Sequence, residues 1–143
     1  MSAFMRSIDT KLLGRKTYEV SLRMGAKFDS KKSRNVVFSR HAPPADAPSG
    51  VEFVNDAIGP FVSRLREQPG KDIWLMGGGE IIASFLDEHA IDEFVISVVP
   101  VFIGDGIPLI ARRHRHVPLE LQSIERFEDG LVQLRYRVQN KRS

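Results

Sequence analysis

The segment DIWLMGGGEIIASF, residues 72–85, places three consecutive glycines between an apolar run and a helical pattern. The run ends at Met76, and apolar residues recur at helical spacing after Glu80, so a buried strand, a turn and a helix follow one another. Because glycine lacks a Cβ, Gly77, Gly78 and Gly79 allow very close approach to the backbone, by another part of the fold or by a ligand. Such junctions are typical of α/β sheets, which bind ligands beyond the carboxyl ends of their strands.

The same alternation of strand and helix patterns runs through most of the chain. One helix is predicted from Arg15 to Met24, where Gly25 stops it, a second begins with Asp56 as its N-cap, and a third begins at Glu80. The proline-rich residues 40–50 are predicted to form a loop. The predicted strands of this part are residues 10–14, 35–39, 51–54, 72–76 and 93–103, the last of them buried.

The end of the chain changes to the two-residue period of half-exposed strands. Apolar and polar residues alternate over 132–138, and a less regular alternation over 119–127 slips near Ser123, which indicates a bulge. Asp129–Gly130 between them is a strong hairpin turn signal. The sequence therefore predicts one α/β domain, residues 1–143, with a mixed, mostly parallel sheet flanked by helices and a C-terminal antiparallel hairpin.

Composition excludes several classes of function. The 143 residues contain no cysteine, so disulfides, zinc thiolates and thiol nucleophiles are ruled out, and a cytoplasmic location is expected. The longest apolar run, 94–103, is too short to span a membrane. Net charge is only +3, and the basic runs 112–115 and 135–142 are interpreted as solvated surface rather than a nucleic-acid site. His114 and His116 lack acidic neighbours, so no metal site is expected.

Three predicted strand ends are followed by residues suited to phosphate. Glycine backbones and helix N-termini attract anions, and so do exposed cations and hydroxyl groups. The residues concerned are Gly14, Arg15, Lys16 and Thr17, then Ser39 and Arg40, and finally Gly77, Gly78 and Gly79. The alternative for the glycines is a tight turn with nothing bound, and for the cations a solvated surface.

Standard nucleotide and hydrolase motifs do not fit these residues. The dinucleotide fingerprint requires glycine where Ile82 stands, and the phosphate loop of nucleoside triphosphatases requires glycine where Leu65 stands. The GxSxG and HExxH motifs do not occur. Phosphate binding at the three strand ends remains the prediction.

Four segments, taken in order, resemble the dihydrofolate reductase superfamily. They are GRKTYE, VVFSR, WLMGGGEIIASFL and DEFVISVVPVFIGDGIPLI, and the similarity runs from about Phe4 to the final hairpin. Within the superfamily, the chain is most similar to the reductase domain of riboflavin biosynthesis and its small stand-alone relatives. The resemblance implies a mixed sheet flanked by helices, NADPH as cofactor, and a homodimer supported by the PVFIGDGIPLI region.

The resemblance also implies a set of cofactor contacts. Gly14, Arg15, Lys16 and Thr17 would meet the cofactor phosphates, and Ser39 and Arg40 would lie by the adenosine and its 2′-phosphate. Gly77, Gly78, Gly79, Glu80 and Ile81 would follow the pyrophosphate. The implied reaction is hydride transfer to a carbon–nitrogen double bond or carbonyl of a heterocyclic or sugar-linked substrate.

The chain departs from the family pattern at its start. Members usually begin with a strand similar to SLDGxIA, which shapes the nicotinamide and substrate pocket, and that first strand is expected to be missing ahead of Met1. Catalytic residues therefore stay unassigned, and Asp105 in the GDG sequence is interpreted as a turn former. The alternative function is a non-catalytic or truncated nucleotide-binding homologue that forms oligomers. A gene start placed too late is the competing explanation for the missing strand.

Overall fold

Seven strands and three helices are present in a computed structural model that describes residues 6–45, 47, 50–111 and 116–139. In chain order they are β1 Ile8–Gly14, α1 Arg15–Arg23, β2 Arg34–Phe38, β3 Glu52–Val54, α2 Ile58–Glu67, β4 Asp72–Gly77, α3 Gly79–Asp87, β5 Glu93–Val98, β6 Leu119–Arg126 and β7 Val132–Val138.

The strands form two sheets of different type. The first has the order β3-β2-β1-β4 and is parallel throughout. Helices α1 and α2 return the chain between β1 and β2 and between β3 and β4, whereas a loop joins β2 to β3. The second has the order β5-β7-β6 and is antiparallel. The carboxyl ends of β2, β1 and β4 therefore meet at one edge of the first sheet.

Both faces of the parallel sheet are covered, which explains its continuous apolar strands. Leu12 and Val36 belong to the larger buried cluster with α2 and α3, whereas their neighbours Leu13 and Val37 pack with α1 on the other face. In that second cluster the Tyr18 ring meets Phe53 edge-on, with ring centroids 5.4 Å apart. Burial of apolar side chains on both faces holds β1 and β2 at the centre of this sheet.

The predicted fold class is confirmed, and most predicted elements lie within two residues of their observed bounds. The C-terminal hairpin is confirmed in detail. The β6–β7 register shifts between Leu121 and Ser123, and Gly130 has a φ of +90° in the turn. That left-handed backbone conformation is one that glycine adopts without steric cost.

Two sequence predictions were wrong. The strand predicted over 93–103 ends at Val98, ahead of Pro100, and it is not buried, since Val95 is 39% and Val98 49% exposed. Proline lacks the N–H that a strand ladder needs, so the ladder stops there. The N-cap of α2 is Ala57 rather than Asp56, whose carboxylate instead accepts a 2.9 Å hydrogen bond from Arg64.

Candidate functional site

The carboxyl end of β1 leads directly into α1. Gly14 is both the last residue of β1 and the N-cap of α1, with no side-chain cap and no acidic residue in the first turn. The first N–H groups of a helix have no acceptor inside the helix, so here they are open to an external acceptor. Arg15, Lys16 and Thr17 form this first turn. Arg15 makes a 3.1 Å ion pair with Glu19, whereas Lys16 has no ion pair among the described residues.

The carboxyl end of β4 leads into α3 beside it. Leu13 pairs with Gly77 in the β1–β4 ladder, and Gly78 is the N-cap of α3, again without a side-chain cap. A Cβ added to Gly78 would lie 3.1 Å from the Thr17 side-chain oxygen and would meet no other described atom within 4 Å. The starts of the two helices therefore lie side by side, with the Thr17 hydroxyl next to the Gly78 backbone.

Two of the three glycines are required by the fold itself. Gly77 has a φ of +120°, a conformation that favours glycine, and the Gly77–Gly78 peptide bond is cis. A Cβ on Gly79 would lie 3.0 Å from the Pro108 carbonyl oxygen, and the N–H of Ala111 donates a 3.0 Å hydrogen bond to the Gly79 carbonyl. At Gly78, by contrast, a Cβ would meet only the end of the Thr17 side chain.

The carboxyl end of β2 lies on the other side of β1. Phe38 pairs with Gly14 in the β1–β2 ladder, so Ser39 and Arg40 follow at the same sheet edge. The Ser39 hydroxyl donates to the His41 carbonyl at 3.2 Å and accepts the His41 N–H at 3.1 Å. Arg40 is exposed and has no ion pair among the described residues. The three strand ends singled out from sequence are therefore neighbours in the order β2-β1-β4.

The backbone N–H groups at the start of α3 suit an anion better than its side chains do. The first helical hydrogen bond runs from the Ile82 N–H to the Gly78 carbonyl at 3.0 Å, so the N–H groups of Gly79, Glu80 and Ile81 precede it. The Ile81 side chain turns inward, since its Cγ2 lies 3.5 Å from the position of a Cβ on Gly14. The Glu80 carboxylate would repel a phosphate, so its N–H is the group suited to bind one.

The segment of residues 108–111 was not assigned to the site from sequence. Its backbone packs on Gly79 through Pro108, Leu109 and Ala111. No local sequence pattern predicts this contact, because it depends on the path of the chain after β5. Asp105 forms a turn, as interpreted, because its carboxylate accepts the N–H of Gly106 at 2.9 Å in an exposed loop. His114 and the basic run 112–115 lie outside the described residues.

The part of the chain that the structure describes contains neither a metal-binding cluster nor a membrane-spanning helix. Across those residues, no group of three or more histidine, aspartate or glutamate side chains could hold a metal ion. No helix in the same ranges combines the length and apolarity needed to cross a membrane.

Comparisons with known proteins agree with this architecture. The chain is 36% identical over 135 residues to the uncharacterized protein YwjB of Bacillus subtilis, a match that covers 94% of this chain and 76% of that protein. The crystal structure of a putative riboflavin biosynthesis protein from Shewanella sp. PV-4 is similar with a TM-score of 0.82 at 25% identity, over 96% of this chain and 78% of that one.

A third similarity shows the fold alone. A pyrimidine reductase-like protein from Corynebacterium diphtheriae matches with a TM-score of 0.72 at 14% identity, over 96% of this chain and 79% of that one. Residues 3–133 match the family of RibD C-terminal domains. The resemblance stated from four sequence segments is thereby confirmed, and this chain belongs to the RibD C-terminal domain family.

Proposed function

We propose that this chain is an NADPH-dependent reductase that transfers hydride to a small heterocyclic or sugar-linked substrate. Family membership supports a reductase-type function that uses a nicotinamide cofactor. The observation that carries the proposal is the pair of helix starts at neighbouring strands, with the Thr17 hydroxyl next to the Gly78 backbone. A dinucleotide has two linked phosphates, and two adjacent helix N-termini offer matching N–H donors.

The residues present fit such a cofactor. A Cβ on Gly78 would fill the space beside Thr17, so glycine there keeps the two helix starts accessible to one ligand. In this arrangement the N–H groups of residues 15–17 and 79–81 hold the pyrophosphate, and the Lys16 ammonium adds positive charge. When bound, the cofactor supplies the hydride, while the chain fixes its position and surrounds it with favourable dipoles.

Arg40 is the side chain best suited to the 2′-phosphate that distinguishes NADPH from NADH. A guanidinium group binds two phosphate oxygens at once, and Arg40 has no competing ion pair among the described residues. The Ser39 hydroxyl already exchanges hydrogen bonds with His41, so it can donate to a phosphate only after leaving the His41 carbonyl. Arg40 therefore carries the preference, and Ser39 contributes less than its position in the sequence indicates.

Thr17→Val tests the binding site directly, since valine keeps the shape of threonine and removes its hydroxyl. We expect calorimetric titration to show NADPH binding weaker by about tenfold in this variant, the effect of one lost charge-assisted hydrogen bond. Val20→Thr, on the exposed side of the same helix, is the matched control and should bind as the wild type does. Absence of NADPH binding by the wild type would overturn the proposal.

Turnover separates the two candidate functions. Consumption of NADPH with any member of a panel of pteridines, ribityl-linked pyrimidines and simple carbonyl compounds supports the reductase. Tight NADPH binding without turnover across that panel favours the alternative, a nucleotide-binding homologue that has no catalytic centre.

The sequence lacks cysteine, and we place this activity in the cytoplasm.

We also propose that the chain forms a homodimer through an exposed apolar surface, defined here as the apolar strip. In the β6–β7 register Leu121 is opposite Tyr136 and Ile124 is opposite Leu134, so these side chains share one face of the hairpin. Leu121 and Ile124 are each about half exposed. Phe102 and Ile107 in the loop after β5 are almost wholly exposed. Both sets are large apolar side chains left in contact with solvent, as at protein interaction surfaces. The members of the strip are Phe102, Ile103, Ile107, Leu121 and Ile124.

Light scattering tests this assembly. The wild type should have the mass of a dimer, and Phe102→Ser combined with Ile107→Ser should have that of a monomer. Met24→Ser is the control, because Met24 is 82% exposed at the end of α1, outside the strip. A wild-type monomer at micromolar concentration would contradict the assembly without bearing on the reductase.

A further inference from the structure

Ser39 is held from two directions at the end of β2. Its N–H donates a 2.9 Å hydrogen bond to the carbonyl of Val54, the last residue of β3, so the pairing of β2 with β3 continues through Ser39. Its side chain reaches past Arg40 to His41. The hydroxyl donates to the His41 carbonyl at 3.2 Å and accepts the His41 N–H at 3.1 Å. Arg40 therefore lies inside a turn that the Ser39 side chain closes.

The chain beyond this turn is also restricted. Ala42 is followed by Pro43 and Pro44, whose rings fix φ and confine the residue before each of them to extended conformations. The backbone of Arg40 is thus constrained on both sides. Its side chain, in contrast, is exposed and has no ion pair among the described residues.

The Ser39 hydroxyl is occupied by the turn itself. A serine hydroxyl has one hydrogen to donate, and that of Ser39 goes to the His41 carbonyl. A donated hydrogen bond from Ser39 to a ligand would require this bond in the turn to break. The arrangement therefore favours a side chain that holds the turn over one that binds a phosphate.

We propose that Ser39 is a positioning residue for cofactor selection: it holds Arg40 where the guanidinium binds the 2′-phosphate, and it does not contact that phosphate itself. This role rests on the proposed function, and it replaces the direct contact that the family resemblance implies for Ser39. A group whose backbone is fixed before binding loses less conformational freedom when the complex forms. The turn therefore raises the affinity for NADPH without a contact of its own.

A double-mutant cycle separates positioning from direct contact. Calorimetric titration of Ser39→Ala should show NADPH bound about three- to tenfold more weakly and NADH bound as in the wild type, the effect of one lost hydrogen bond. In the Arg40→Ala background the same substitution should change neither affinity, because no guanidinium remains to be positioned. Ser39→Thr keeps the hydroxyl and should restore the preference for NADPH.

Amide exchange at His41 reports the turn without any cofactor. Nuclear magnetic resonance should show this exchange faster by about three- to tenfold in Ser39→Ala and unchanged in Arg40→Ala, since the hydroxyl bonds the His41 N–H and the guanidinium does not. Ser97→Ala is the matched control. The Ser97 hydroxyl accepts a 3.3 Å hydrogen bond from Gln133 in the other sheet, so its removal should change neither cofactor affinity nor exchange at His41.

Three results would overturn the positioning role. Ser39→Ala could weaken NADPH binding equally with and without Arg40, which would show direct contact between the hydroxyl and the phosphate. It could weaken NADPH and NADH binding equally, which would show general damage to the fold. It could also leave exchange at His41 unchanged, which would show that the hydroxyl does not hold the turn. Each of these leaves the proposed reductase intact, whereas a wild type that binds the two cofactors equally removes the preference itself and this role with it.

Discussion

A Cβ on Gly78 would lie 3.1 Å from the side-chain oxygen of Thr17, so the start of α3 lies directly beside the first turn of α1. The β1–β4 ladder produces this proximity, because Leu13 and Gly77 are partners in it and each helix begins immediately afterwards. A ligand that binds both sets of N–H groups would therefore lie close to this pair.

Gly78→Ala should weaken NADPH binding without unfolding the protein. Gly78 has a φ of −88°, which alanine adopts freely, and the one close neighbour is the end of a side chain that can rotate. The added methyl group occupies the ligand's approach, so we expect a loss of about ten- to a hundredfold in affinity, as for one or two lost charge-assisted hydrogen bonds. Calorimetric titration measures the affinity, and thermal unfolding measures the fold.

Gly59→Ala is the matched control for this variant. A Cβ on Gly59 would also lie 3.1 Å from the end of a side chain, the Glu88 carboxylate, but in α2, away from the sheet edge. It should leave NADPH affinity unchanged and raise stability slightly, because alanine favours the helix. Equal losses of affinity in the two variants would show that Gly78 acts through the fold rather than through the ligand.

Gly79→Ala should destabilise the protein, in contrast to the two variants above. The new Cβ would meet backbone atoms of Pro108, Leu109 and Ala111 at 3.0–3.3 Å, and these cannot rotate away. We expect a loss of about 1–3 kcal/mol, typical of an overpacked site. Denaturant unfolding measures it, and faster amide exchange at Ala111 should report the displaced segment. A variant as stable as the wild type would contradict the packing of residues 108–111 on Gly79.

The Arg34–Glu52 pair predicts a pH dependence of stability. Arg34 donates two hydrogen bonds to the Glu52 carboxylate, at 2.7 and 3.0 Å, between β2 and β3. These hydrogen bonds lower the pKa of Glu52 against a smaller opposing effect of burial. A lowered pKa means that the stabilisation is present above the ordinary glutamate pKa of about 4.3 and is lost as pH falls through the value in the folded protein.

Glu52→Gln tests this dependence. Both partners are substantially exposed, so the pair should contribute about 0.2–1 kcal/mol to the free energy of unfolding at pH 7. The difference between the variant and the wild type should shrink as pH falls below the ordinary glutamate pKa of about 4.3 and vanish below the lowered pKa of Glu52 in the folded protein, where both side chains are neutral. A difference that persists unchanged at pH 3 would assign the effect to something other than the charge.

Sequence patterns predicted well those elements in which the burial of side chains follows a regular pattern of apolar residues. Leu12, Leu13, Val36 and Val37 are apolar without interruption because the sheet is covered on both faces, and the pattern reports this directly. The bulge near Ser123 and the turn at Gly130 could also be predicted from local sequence. The bulge follows from a break in the apolar–polar alternation, and the turn follows from the backbone conformation that glycine allows.

Features that depend on distant contacts were not readable. Three glycines in a row indicated close approach, but sequence could not show that residues 108–111 approach Gly79 whereas only the Thr17 side chain approaches Gly78. The apolar run after Glu93 indicated a long buried strand, whereas Pro100 ends the ladder early and leaves Phe102 exposed. An apolar run alone does not say which neighbour covers it.

The preference for NADPH over NADH tests the proposed function most directly. The 2′-phosphate carries nearly two negative charges, and the proposed function assigns its binding to Arg40. Calorimetric titration of both cofactors should show NADPH bound about ten- to a hundredfold more tightly by the wild type, from a charge-assisted interaction of about 1.5–3 kcal/mol. Arg40→Ala should remove most of this preference and leave NADH affinity nearly unchanged.

Arg23→Ala, at the exposed end of α1, removes the same charge elsewhere and should keep the preference. Loss of preference should be confined to the Arg40 variant. Equal affinities of the wild type for the two cofactors, or equal losses for both cofactors in Arg40→Ala, would contradict the role proposed for Arg40.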